Sequence, residues 1–65
     1  MTWRIAAEAA RLIDERIMAY RNGWSLGPLK GEALLTDCLR LADAAGFKGT
    51  DERIAEVRAE GKRAA

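Results

Sequence analysis

The sequence predicts an all-α fold, a small three-helix domain with two longer antiparallel helices and a shorter C-terminal helix. Three observations predict it. First, the stretch Ala33 to Ala45 places Leu34, Leu35, Cys38, Leu39, Leu41, Ala42 and Ala45 in one arc about 160° wide at helical spacing. Glu32, Thr36, Asp37, Arg40 and Asp43 fill the other side. An arc that wide is more than one neighbouring helix needs, so this helix is expected to pack between two others. Second, two periodic stretches end on glycine followed by an aromatic, Gly23-Trp24 and Gly46-Phe47. Glycine takes the left-handed conformation that closes a last helical turn, and the next residue folds back. Third, Thr50-Asp51-Glu52 has the composition of a helix start, a capping side chain and then acids near the positive end of the helix.

The first helix is expected over residues 2–22, capped by Thr2. Its apolar set is Ile5, Ala6, Ala9, Leu12, Ile13, Ile17 and Tyr20, while Arg4, Glu8, Arg11 and Glu15 form a ladder of alternating charge on the other side. Trp3, Ala10 and Ile17 widen the apolar side to about 200° by the same projection. Arg16 falls inside it, beside Leu12, Ile13 and Tyr20. A guanidinium there must carry its head to water, pair within the chain, with Asp37 the best-placed acid, or meet an acid on a partner. The breadth of the apolar side favours the partner.

Trp24 to Gly31 connects the first two helices. Pro28 lacks an N–H and has a fixed φ, which suits a first helical position. The second helix is therefore expected over residues 28–45, with Gly31 a weak point inside it. Leu26 and Leu29 either tuck beneath the helix pair or present a contact surface. The third helix is expected over residues 50–62, on a thin stripe of Ile54 and Val57.

Composition bounds the function. The 65 residues form one domain near the lower limit for an independent core. Alanine makes up 13 of the 32 apolar residues, leaving 19 larger ones, so regular helix packing or a partner is expected to supplement the core. Cys38 is alone, which rules out an internal disulfide and points to a reducing, cytoplasmic setting. With no histidine and no cysteine cluster, no metal or other cofactor is expected. The net charge of +1 gives no electrostatic reason for nucleic acid or an anionic membrane. No apolar run approaches the roughly 20 residues that cross a bilayer, and the opening MTWRIAAEAA carries glutamate too early for a signal peptide.

Catalysis is not expected. Cys38 lies mid-arc among apolar residues and no Cys–His pair is possible. Asp37 and Asp43 sit at opposite edges of a polar arc, in a domain with little volume for a water-poor site or a small-molecule substrate. Gly27 to Gly31 superficially resembles a phosphate loop, but Pro28 removes a donor and Glu32 would repel the anion.

The expected function is a small helical protein–protein interaction module, self-associating or an accessory or inhibitory subunit. Its partner-binding residues are read as Trp3, Arg16, Ile17, Met18, Trp24, Leu26 and Leu29. The alanine- and arginine-rich composition suits a bacterial or phage origin. The alternative is a helix-turn-helix DNA binder built on residues 41–58, with Arg53, Arg58, Lys62 and Arg63 on its recognition helix. Asp51, Glu52, Glu56 and Glu60 oppose phosphate neutralisation there, so nucleic acid is disfavoured.

Overall fold

The computed structural model describes residues 2–64, and the side chains of residues 4–61 within them. Three helices follow one another: α1 (Thr2–Asn22), α2 (Glu32–Ala45) and α3 (Thr50–Ala64). The fold is the expected all-α three-helix domain, and it measures 41 × 25 × 13 Å.

Glycine closes α1 and α2 in the same way. Gly23 takes φ 71° and donates to the carbonyl of Tyr20, while Trp24 N–H reaches back to Ala19. At Gly46, φ is 75°, with matching bonds from Gly46 to Asp43 and from Phe47 to Ala42. These paired bonds satisfy carbonyls that the last turn would otherwise leave bare. Phe47 goes on to pack against the core, whereas Trp24 remains 56% exposed.

The connector departs from expectation. Pro28 does not open α2, which begins at Glu32 and spans 14 residues, one fewer than α3. Leu26 and Leu29 instead exchange both backbone hydrogen bonds, at 2.8 and 3.0 Å, across a two-residue turn of Gly27 and Pro28. Gly27 sits at φ 61° and Pro28 at the negative φ its ring imposes, the pattern of a type II′ turn. Two mutual bonds and a ring held at its preferred φ outcompete an early helical turn, and Gly31, at φ 56°, then resets the chain for α2.

The core is formed by Ile13 and Ile17 of α1, Leu35, Cys38 and Ala42 of α2, and Ile54 and Val57 of α3. All seven apolar positions of the α2 arc are buried or half-buried. α2 contributes to the packing against both other helices, as the width of its arc requires.

Ion pairs give the register. Arg16 of α1 pairs with Asp37 of α2, and early α1 lies against late α2, so the two run antiparallel. Asp14–Arg53 and Arg21–Glu60 share an offset of 39, so α3 runs parallel to α1 with Thr50 about level with Arg11. Arg58 reaches Glu32 at the start of α2 at 2.9 Å. With these pairs and two fully buried apolar residues, α3 is held by its own chain.

The same register leaves α1 longer than its supports. Counting from the Arg16–Asp37 pair, Ala45 lies about level with Glu8. The first turns of α1 therefore project roughly 9 Å past the end of α2 and roughly 13 Å past the start of α3 at 1.5 Å per residue.

Candidate interaction surface

The residues expected to bind a partner do not form one surface. Ile17 is corrected outright: at 2% exposure it is a core residue facing α2 and α3. Arg16 is corrected as well, since it finds its acid within the chain. Its Nε donates to Asp37 Oδ2 at 2.6 Å and its Nη1 to the Leu12 carbonyl at 3.3 Å. Leu26 and Leu29 are half-buried, with their backbones committed to the tight turn. Met18 and Trp24 are exposed, at 57% and 56%. The Trp3 side chain lies outside the described residues.

Asp37 joins the helices electrostatically. Its second oxygen, Oδ1, accepts from Arg40 Nε at 2.8 Å. The Arg40 hydrogen bond is the larger influence holding this carboxyl below its ordinary pKa. Burial opposes it, and the Arg16 bond lowers the pKa further. Cys38 behaves as a core residue: it is buried, donates weakly to the Ile13 carbonyl at 3.7 Å, and burial raises its thiol pKa. A thiol in that state is a poor nucleophile. Among the described residues no group of three or more histidines, cysteines and acids is placed to hold a metal ion. No helix among them is long and apolar enough to cross a membrane.

Two of the four basic residues assigned to the DNA-reading helix are paired within the chain. Arg53 is bound to Asp14 at 2.6 Å and Arg58 to Glu32, both in exposed pairs that reach from α3 to the other helices. The side chains of Lys62 and Arg63 lie outside the described residues.

Ile5 is corrected in the opposite sense to Ile17. Assigned to the core side of α1, it is 61% exposed, more than any other large apolar residue described. It stands at one end of an open groove of about 310 Å³ between early α1 and late α2. Ile5, Ala9 and Leu12 line it from α1, and Leu41, Ala44 and Ala45 from α2. The lining surface is apolar, and the alanines keep it shallow. Ile5 and Met18 are not parts of one patch, because thirteen residues at 100° each set them about 140° apart around α1. The sequence carried no signal for the groove: the apolar side of α1, Trp3 to Tyr20, spans 18 residues, the same length as the second helix expected over residues 28–45.

Compared with protein-family models, curated proteins and solved structures, the chain matches none of them.

Proposed function

We propose that this chain is a small helical protein-interaction module of the cytoplasm, either self-associating or an accessory or inhibitory subunit of a larger bacterial or phage assembly. The groove between α1 and α2, with Ile5 exposed at its mouth, carries the reading. Each square ångström of apolar surface withdrawn from water contributes about 25 cal/mol. A thin three-helix core gains from such burial more than a large domain does. A helix end projecting past its neighbours offers that surface without any rearrangement of the core.

Tagged chain recovered from its native host tests this, with Ile5→Asn as the variant and Thr36→Ala, on the outer side of α2, as the control. The wild type and the control are expected to recover a stoichiometric protein complex, and Ile5→Asn to lose it. A wild type recovered alone and as a monomer, or an Ile5→Asn variant that recovers the same complex, would refute the reading. Submicromolar binding to duplex DNA, lost on replacing Arg53 and Arg58 with alanine, would put a helix-turn-helix regulator in its place.

A further inference from the structure

Resting on the interaction-module reading, we infer that the occupant of the α1–α2 groove is a second copy of this chain, docked about a two-fold axis with the two α1 helices antiparallel.

The argument lies in the charge stripe beside the groove. Arg4, Glu8, Arg11 and Glu15 follow one another at intervals of four, three and four, and all four are exposed. Arg4 and Glu8 themselves border the groove. The spacing is symmetric, and the signs invert when the stripe is read backwards. Two antiparallel copies centred between Ala9 and Ala10 therefore set Arg4 against the partner's Glu15 and Glu8 against the partner's Arg11. The two-fold axis repeats both pairings. A parallel arrangement in register would set every charge against its own kind, which is repulsive.

The apolar surface suits the same arrangement. In that register Ile5 comes within one helical turn of the partner's Leu12, which lines the groove together with Leu41. Ala44 and Ala45, at the end of α2, carry no bulk that would hold the partner's α1 away from the groove, and interaxial distance follows the side chains at the contact. An isologous dimer uses one patch twice, so a groove with a protruding isoleucine at its end is self-complementary. In the single chain Arg11 donates to Glu8 at 2.7 Å, both 61% exposed. Such an exposed pair contributes little, so exchanging it across the two-fold axis costs little. The charges select the orientation and the groove supplies the attraction.

The test is sedimentation equilibrium on the purified chain over about a hundredfold range of concentration. The wild type is expected to pass from monomer to dimer. Ile5→Asn, changed in both copies, is expected to weaken the dimer at least about tenfold. The acidic double variant Arg4→Glu/Arg11→Glu and the basic one Glu8→Arg/Glu15→Arg should each be monomeric, and an equimolar mixture should restore a heterodimer by native mass spectrometry. All five positions are exposed, so circular dichroism should show the same helix content. If a charge variant loses its helix, the Ile5→Asn comparison decides. A wild type that stays monomeric throughout, or charge variants that associate alone as well as mixed, would overturn the proposal. A monomeric wild type that still recovers a foreign protein from its host would remove the second copy and leave the interaction module standing.

Discussion

Replacing Arg16 with methionine removes one side of the ion pair joining α1 to α2 while keeping most of the side chain's volume. The pair is close, 2.6 Å, and well covered, with side chains 15% and 12% exposed. Removing one partner of a fully buried pair costs about 3–5 kcal/mol, because a charge is left without compensation. Asp37 is not left so, since Arg40, itself 66% exposed, still holds its other oxygen at 2.8 Å. The loss is then about that of one charge-assisted hydrogen bond, roughly 1.5–3 kcal/mol. Methionine returns part of it by burying an apolar side chain without desolvating a guanidinium. The expected cost is about 1–2 kcal/mol. That corresponds to a fall in Tm of about 4–16 °C for a domain of this size.

Asp37→Leu should cost more, about 2–3 kcal/mol, because Arg16 would keep only the Leu12 carbonyl at 3.3 Å and Glu15 at 3.7 Å. Arg16→Glu should cost most, by setting two carboxylates together. A chain this short has about 3–10 kcal/mol of stability in all, so that variant would be marginal. Urea unfolding followed by circular dichroism at pH 7 and one fixed concentration measures the series. The double variant Arg16→Met/Asp37→Leu should lose less than the sum of the singles. An Arg16→Met variant within about 0.3 kcal/mol of wild type, with the two singles simply additive, would show that the pair contributes nothing and that Arg16 is in effect solvated.

Because the folded pKa of Asp37 is lowered, its contribution is fully present above the ordinary aspartate value of about 3.9 and fades as pH falls through the lowered value. An acid titration of stability should therefore be flatter below that pH for Asp37→Asn than for wild type, and parallel curves would refute the assignment. Two glycine substitutions should move stability in opposite directions, measured by urea unfolding. Gly46→Ala meets open space but must hold φ 75°, at a cost of about 1–2 kcal/mol. Gly61→Ala lies inside α3, and its new Cβ would sit 3.5 Å from Tyr20 Oη, an ordinary contact, so a gain of about 0.5–1 kcal/mol is expected.

What the sequence made legible is what depends on neighbours along the chain. The α2 arc was readable because a helix packed on two sides shows its burial directly in its own periodicity, and each of its seven apolar positions is buried or half-buried. The glycine closures of α1 and α2 were readable because the left-handed residue and the two bonds beside it are local. The start of α2 was not readable, because Gly27-Pro28 suits both a first helical turn and a two-residue reversal. The decision rested on Leu26 and Leu29 bonding to each other.

The site was the harder part, for a reason that Arg16, Ile17 and Ile5 share. A helical projection gives the direction of a side chain but not its level along the axis. It correctly placed Arg16 within the apolar side and identified Asp37 as the acid within reach. Whether the pair closes inside the chain depends on how far α2 is slid along α1, which the connector sets. Ile17 and Ile5 both fall on the apolar side of α1, about 120° apart around it, and differ by about three turns in level. At the level of Ile17 stand Leu35 and Val57, and at the level of Ile5 both neighbours have already ended. The four residues by which α2 starts late shorten it at the connector end, not at Ala45. The overhang of α1 therefore follows from the Arg16–Asp37 register and the glycine stop at Gly46. Extending α2 past Gly46 by one turn would bring helix level with Ile5, whereas the rest of the groove is already walled by Leu41, Ala44 and Ala45, which precede that glycine. The glycine that ends α2 thus leaves the Ile5 end of the proposed docking surface uncovered.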